Sequence, residues 1–171
     1  MEKHLHIICH DVPYPPDYGG VVDLFYKLKY LHENGAKIYL HCYEYGRGEQ
    51  QELLLYCQTV HYYKRSYGLN KLAAGVPYIV SSRADDQLLK NLSKDRYPVL
   101  LEGIHCTYLL HKNLLSGRRV ILRLHNVEFE YYRQLSRTAT SLFHKLYYFV
   151  ESFFLKRYEK KIAPKASAIV A

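Results

Sequence analysis

The chain of 171 residues has no tryptophan, one methionine and four cysteines. Its apolar runs all fall short of the ~18 residues that a membrane-spanning helix needs. The start, "MEKHLHIICHD", lacks the charged-then-apolar layout of a signal peptide. We therefore expect a cytoplasmic protein, with contact to the inner face of the membrane as an open alternative. The widely spaced cysteines predict reduced core thiols, at Cys9, Cys42, Cys57 and Cys106.

Charge and aromatic content point to the kind of partner. The formal net charge is +8, and 19 tyrosines stand beside 49% hydrophobic residues overall. A basic globular protein favours an anionic partner, which can be a phosphorylated small molecule, an anionic lipid or a nucleic acid. The basic residues are scattered, and no RNP-like or helix-turn-helix pattern is present, so we expect no nucleic-acid partner.

Apolar runs and helical periods alternate along the chain. Strands are predicted at 4–10, 36–43, 59–65, 97–103, 119–126 and 167–171. Helices are predicted at 21–34, 84–95 and 106–115, and over 127–162 with a break near 138–141. Residues 46–58 are ambiguous, and 76–82 suit a turn or a short strand. The alternation predicts an α/β fold: one Rossmann-like parallel sheet, flanked by helices on both faces.

Polar side chains follow three of the predicted strands. The first strand leads into His10 and Asp11, another ends at Glu102, and a third ends at His125 and Asn126. Ligands of open α/β sheets bind beyond the carboxyl ends of the strands. These positions are therefore the candidate binding site.

The stretch "PYPPDYGG", residues 13–20, joins the first strand to the first helix. Gly19 and Gly20 fall where that helix begins, and a helix amino terminus offers N–H groups and a positive dipole end to a phosphate. The spacing matches neither GxGxxG nor GxxxxGK[ST], so a dinucleotide site or a P-loop is not indicated. A tight turn with a helix cap explains two glycines equally well.

Four stretches together resemble one enzyme family. They are "PYPPDYGGVVDLFYKLKYLHENGAKIYL", "LLEGIHCTYLL", "RLHNVEFEYYRQL" and "FFLKRYEKKIAPKASAIVA". The combination is similar to the N-terminal domain of GT-B-fold glycosyltransferases, especially the family-4 group with an HNVE-type stretch. The resemblance covers essentially the whole chain. It implies transfer of a sugar from a nucleotide-sugar to a glycan or lipid-linked glycan, with retained configuration.

The resemblance also implies roles for individual residues. His125 would be the catalytic residue near the transferred sugar, and Gly19 and Gly20 would approach the donor diphosphate. The acceptor side of the cleft would be shaped by Asp17, Tyr18, Glu102, Asn126 and Glu128. No metal and no cofactor are expected, since the nucleotide-sugar is a substrate. A hydrogen-bonded strand-end histidine, and first-turn acids that stabilise a helix, are the structural alternatives.

The expected domain organisation follows from the part of the family's sequence pattern that this chain does not match. In this family the C-terminal domain holds most of the nucleotide and carries a paired-glutamate motif, and nothing in residues 1–171 matches it. The chain also stops on a predicted strand. We therefore expect a single N-terminal, acceptor-side domain that needs its own C-terminal domain for activity. A non-catalytic α/β module for an anionic ligand or partner, and a GT-B nucleotide-sugar epimerase, are the alternatives.

The last predicted helix carries an apolar stripe. Leu142, Leu146, Phe149, Phe153 and Ile162 recur at roughly helical spacing, which predicts packing in the core. The additional aromatic residues of this helix would dock the C-terminal domain or lie on an anionic bilayer: Tyr147, Tyr148 and Phe154.

Overall fold

The computed structural model describes residues 2–44, 46–68 and 75–171. Its centre is a six-stranded sheet of β1 (Lys3–Cys9), β2 (Ala36–Glu44), β3 (Thr59–Lys64), β4 (Val99–Glu102), β5 (Val120–Arg123) and β6 (Ala168–Val170). The strand order is β3-β2-β1-β4-β5-β6, and every neighbouring pair is parallel. This order and direction confirm the predicted Rossmann-like α/β fold.

The described residues contain six α-helices between the strands. They are α1 (Gly19–Glu33), α2 (Tyr78–Ser81), α3 (Asp86–Leu92), α4 (Tyr108–His111), α5 (Glu128–Thr138) and α6 (Leu142–Ile162). Local signals set several boundaries. The Asp85 side chain caps α3 by accepting a hydrogen bond from the Leu88 amide. Gly35, with φ of +79°, follows the end of α1 in the left-handed conformation that glycine tolerates.

The prediction of a turn or short strand at 76–82 is wrong, because these residues contain α2. Pro77 precedes the helix, and the Glu151 carboxylate of α6 accepts the Ile79 amide at 2.8 Å. A contact from a residue so distant in the chain stabilises the first turn of α2. Local sequence patterns contain no information about it.

Two cores lie on opposite faces of the sheet, as predicted. Alternate residues of β1 divide between them: Ile7 packs with Leu24 and Leu28 of α1, whereas Ile8 shares the other core with Leu155 of α6. The four cysteines are free and buried, which confirms the prediction of core thiols. The sheet is therefore covered by helices on both faces.

The predicted core stripe of α6 is wrong for four of its five residues. Leu142 is 83% exposed, and Leu146, Phe149 and Phe153 are also exposed; Ile162 is buried. A second stripe of the same helix faces the core instead: Glu151, Leu155, Tyr158 and Ile162. A helical period shows that residues share a face, but not which face the protein covers. Among the helices of the described residues, none is both long and apolar enough to cross a membrane.

Candidate functional site

The candidate site is a crevice at the carboxyl ends of β1, β4 and β5. β1 and β4 are neighbours, and the strand order runs outward from them in opposite directions, which makes this the topological switch point of the sheet. The crevice contains about 720 Å³ of space, part of it open to solvent. Its lining residues are His10, Tyr18, Gly20, Gly103, His105, His125, Asn126, Glu128 and Tyr131.

Glu102, the last residue of β4, anchors an ion cluster beside this crevice. Its side chain is 1% exposed and accepts hydrogen bonds from Lys27 Nζ at 2.6 Å and from His125 Nε2 at 2.9 Å. Burial alone would raise the pKa of Glu102, but the His125 and Lys27 contacts outweigh it and lower the pKa to about 2. Glu102 is therefore a carboxylate that remains charged at neutral pH.

Arg123 joins a second carboxylate to the cluster. Its Nη1 lies 2.6 Å from Asp23 Oδ2 and 3.4 Å from Glu102 Oε2. Burial acts to raise the pKa of Asp23, but the contacts with Arg123 and Lys27 lower it below its usual value. Because Arg123 contacts both carboxylates, it ties the first turns of α1 to the ends of β4 and β5.

Both ring nitrogens of His125 are engaged inside this cluster. Nε2 lies against Glu102, and Nδ1 lies 2.8 Å from Arg123 Nη1. Arg123 can only donate, so Nδ1 accepts and the proton sits on Nε2, where Glu102 accepts it. The imidazole is thereby fixed in one tautomer and one orientation at the crevice wall.

Three possible metal ligands also meet here, from Asp23, Glu102 and His125, whose ligand atoms lie within 4.8 Å of one another. However, Lys27 and Arg123 already bind the two carboxylates at 2.6 Å. A divalent cation would have to displace both side-chain cations. The geometry thus fits a salt-bridge network better than a metal site.

The proline-rich loop brings Tyr18 and Gly20 into the crevice. The Tyr18 hydroxyl donates to Asp11 Oδ2 at 2.6 Å, and the Tyr18 carbonyl accepts from the amides of Val21 and Val22 at the start of α1. Asp17 points elsewhere, since its carboxylate is exposed and pairs with Arg47 at 2.8 Å. Gly19 begins α1 but does not line the crevice.

Glu128 and Asn126 line the crevice as the resemblance implies. Glu128 is buried in the first turn of α5, and burial, with the nearby charge of Glu159, raises the pKa of its carboxyl above the usual value. Glu159 itself accepts the Phe129 amide of α5 at 3.3 Å. The carboxyl oxygens of Glu128 can accept hydrogen bonds from a polar ligand in the crevice.

Sequence reasoning missed part of the site. His105 lines the crevice, stacks on His10 with ring centroids 4.9 Å apart, and has a buried Nδ1 without a hydrogen-bond partner. Burial is the main cause that lowers the pKa of both rings, so both are neutral at neutral pH. Gly103 makes room for them: it has φ of +87°, and a Cβ there would lie 3.2 Å from His105 Nδ1. The signal for His105 was its place just beyond a strand end.

Asp23, Lys27 and Arg123 were not predicted either. Asp23 and Lys27 stand four residues apart on α1, a spacing that brings opposite charges together on a helix. Arg123 is the last residue of a strand that was predicted to continue to residue 126. The helix spacing was visible in the sequence, but its proximity to Glu102 depends on the packing of α1 against the sheet.

Comparison with known proteins relates the chain to a longer protein and does not establish a family. No protein-family model matches the chain. The chain is 31% identical over 162 residues to an uncharacterized 44.6 kDa protein in the cps region of Klebsiella pneumoniae. The match covers 91% of this chain but 41% of that protein. The chain therefore spans less than half the length of this relative.

Proposed function

We propose that the chain is the N-terminal, acceptor-side domain of a GT-B glycosyltransferase. It would transfer a sugar from a nucleotide-sugar to a glycan or lipid-linked glycan during synthesis of a capsule polysaccharide. The relative from a cps region supports the polysaccharide context. That relative is more than twice as long as the match, which is consistent with a second domain that supplies the nucleotide site.

The observation that carries the proposal is the composition of the crevice at the switch point. Of the implied site residues, Tyr18, Gly20, His125, Asn126 and Glu128 all line it. Of the other three implied residues, Glu102 accepts a hydrogen bond from His125 Nε2, whereas Asp17 and Gly19 lie outside the lining. Fold topology alone puts ligands at this edge of a sheet. Side chains from three separate connections meet there, as binding of a polar substrate requires.

The chemistry we propose is electrostatic. Departure of a nucleoside diphosphate builds negative charge, which fixed N–H dipoles and cations stabilise in the transition state. Gly20 in the first turn of α1 lets a diphosphate approach the positive end of the helix dipole. The cationic side chains of Lys27 and Arg123 lie beside the same crevice.

His125 would act by contact with the transferred sugar rather than by proton transfer. Its two nitrogens are engaged by Glu102 and Arg123, so neither is available as a general base without rearrangement. Glu128 and Asn126 also line the crevice, and we propose that they, rather than the engaged nitrogens of His125, form hydrogen bonds with acceptor hydroxyls.

The test is donor turnover by the full-length protein against a panel of nucleotide-sugars, with glycan and lipid-linked acceptors supplied. The 171-residue chain is assayed in parallel. Turnover of one donor by the full-length protein, absent for the shorter chain, is the expected result. Failure of both with every donor and acceptor would overturn the proposal.

A non-catalytic binding module is the second candidate. Both ring nitrogens of His125 have hydrogen-bond partners, which favours this candidate because a fixed imidazole suits a rigid binding surface as well as a reactive centre. Ligand binding without turnover in the same panel would support it. A GT-B epimerase would convert the nucleotide-sugar with no acceptor present, and product analysis separates it from a transferase.

A further inference from the structure

The first three turns of α6 expose a continuous apolar surface. We call it the α6 stripe, and its members are Leu142, Phe143, Leu146, Phe149, Val150 and Phe153. All six are exposed in the described structure. Contiguous apolar patches on a protein surface usually mark a site of interaction, because water is a poor solvent for them.

Basic residues continue the same helix face. Arg157 lies over the Phe153 ring, with its Cζ 4.0 Å from the ring centroid, and exposed Lys160 and Lys161 follow in the last turns. At 100° per residue, Arg157 and Lys160 project within the angular range of the stripe. Exposed Lys145 and Lys156 lie along one flank of the stripe. The apolar half of the helix face therefore passes directly into a cationic half.

The two acidic residues of α6 face the other way. Glu151 is buried and accepts the Ile79 amide, and Glu159 is half-buried and accepts the Phe129 amide. Each is about 140° from the centre of the stripe at 100° per residue. The exposed face of α6 is thus purely apolar and basic.

We propose that this face of α6 binds the surface of an anionic lipid bilayer. An interfacial helix places its apolar side chains at the boundary of the acyl chains and its cations at the level of the phosphates. The stripe spans residues 142–153, about 18 Å of helix at 1.5 Å per residue. No described helix can cross a membrane, so α6 would lie in the interface.

The charge pattern favours lipid over a protein partner. A protein partner would need an apolar groove with an acidic surface at one end. An anionic bilayer offers apolar acyl chains and negatively charged phosphates to the helix in any orientation within its plane. The net charge of +8 also favours a negatively charged surface over a second copy of this chain. A second copy of the chain remains an outcome that the test identifies.

Binding of α6 to a bilayer would also affect how an acceptor reaches the crevice, a step that rests on the proposed function. The helix α5 begins at Glu128 in the crevice and packs along α6, with Phe129 O accepting from Ser152 Oγ at 2.9 Å. A bilayer bound by α6 would therefore contact the helix that packs directly on α5, whose first turn lines the crevice. This arrangement suits an acceptor sugar carried on a membrane lipid.

The experiment is vesicle sedimentation of the full-length protein with no sugar donor present. Vesicles of phosphatidylcholine with phosphatidylglycerol are compared with vesicles of phosphatidylcholine alone. The test variant is Leu146→Gln/Phe149→Gln, at residues 64% and 62% exposed. The matched control is Leu54→Gln/Leu55→Gln, at residues 50% and 68% exposed on the connection before β3.

We expect binding to the anionic vesicles, weakened at least about tenfold by the stripe variant and unchanged by the control. Replacing Lys160 with Gln should weaken it about fivefold, and added salt should weaken it further. All substituted side chains are exposed, so circular dichroism should show folded variants. Equal binding by the stripe variant and the control would overturn the proposal, as would no binding by the wild type.

Two further outcomes have separate meanings. Self-association that disappears in the stripe variant, without vesicle binding, would identify a second copy as the occupant and overturn the lipid proposal. Vesicle binding without any sugar transfer would overturn the proposed glycosyltransferase and leave this inference standing, because the vesicle assay needs no donor.

Discussion

Two hydrogen-bonded polar networks lie on the same sheet, one beside the candidate site and one in the interior of the protein. The crevice network, at the carboxyl ends of the strands, consists of Asp23, Lys27, Glu102, Arg123 and His125. The buried relay, further toward the amino ends, consists of Arg118, Asp95, His6, His41, Tyr63 and Asn91. Both combine histidine with a carboxylate and an arginine, so composition alone does not distinguish them.

In the relay, each side chain donates its hydrogen bond in the direction of Asp95. Asp95 accepts from Arg118 at 2.7 Å and from His6 Nε2 at 3.0 Å. His6 Nδ1 must then accept from His41 Nε2 at 2.9 Å, and His41 Nδ1 accepts from the Tyr63 hydroxyl at 2.8 Å. In this arrangement both rings are neutral, and adding a proton to either would require a neighbouring group to reverse its donor and acceptor roles. His6 and His41 are buried, and neither lines the crevice of the candidate site.

The comparison teaches that position on the sheet, rather than residue type, separates a candidate site from a structural network. In the crevice network, His125 lines the crevice, the other charges lie beside it, and both carboxylates are kept ionised. In the relay, burial keeps the histidines neutral and all the hydrogen bonds are internal. Substitutions in the first network should affect both stability and ligand chemistry, and those in the second should affect stability alone.

The largest effect is expected for Glu102→Gln. It removes a buried negative charge that three side-chain donors share, and we expect a loss of about 3 kcal/mol in the free energy of unfolding. Urea denaturation near neutral pH measures this. Donor turnover should fall as well, because His125 loses the carboxylate that orients it.

The pH dependence sharpens the same prediction. The pKa of Glu102 is about 2 in the fold against 4.5 for an ordinary glutamate, so its stabilisation is present above pH 4.5 and is lost as pH falls toward 2. The difference between wild type and variant should shrink over that range. Asp17→Asn is the control, since Asp17 forms an exposed pair with Arg47, and little change is expected. Equal losses in both variants would contradict the special role of Glu102.

A smaller, purely structural effect is expected in the relay. His41→Leu leaves His6 without a donor and Tyr63 without an acceptor, which should cost about 1–3 kcal/mol of unfolding free energy. Donor turnover by the folded protein should not change. An effect on turnover as large as that of Glu102→Gln would contradict the separation of the two networks.

The relay also predicts how wild-type stability responds to acid. Burial lowers the pKa of His6 and lowers that of His41 well below its usual value, with the charge of Arg118 acting in the same direction on both. The unfolded chain therefore binds protons below about pH 6.5 that the folded chain does not, so the stability of the fold decreases as the pH is lowered below that value. Urea midpoints at about pH 7 and about pH 5 should differ less in His41→Leu than in wild type. The exposed His32→Gln serves as the control.

Much of the fold was predictable because buried parallel strands are nearly continuous apolar runs. All six strands were predicted, and the break between α5 and α6 near residues 138–141 was also found. What failed required knowledge of packing. The first turn of α2 depends on Glu151, and the exposed stripe of α6 could not be told from its buried one.

The candidate site was also predictable only in part. Glu102 and His125 could be identified because topology places strand ends together. Their partners Lys27 and Arg123 could not, since a helix must be docked on the sheet before its side chains meet those of a strand. Whether the crevice residues bind a nucleotide-sugar stays a prediction.

The smallest expected change in stability separates the two interpretations of the glycine pair. A methyl group at Gly20 would meet only the Tyr18 ring, at 3.9 Å, and one at Gly19 would meet nothing within 4 Å. Both lie in the first turn of α1, where alanine should be neutral or stabilise the fold by up to about 1 kcal/mol. If the glycines serve only the turn, neither substitution should impair turnover.

If a diphosphate approaches α1, Gly20→Ala should raise the KM for the nucleotide-sugar, because Gly20 lines the crevice. Gly19→Ala is the matched control, since Gly19 stands one residue away and outside the lining. Thermal melting and steady-state kinetics of both variants provide the comparison. A stable Gly20→Ala protein with a raised KM, beside an unaffected Gly19→Ala protein, would locate the anion at the crevice end of α1. Identical kinetics for the two would leave the pair a structural turn.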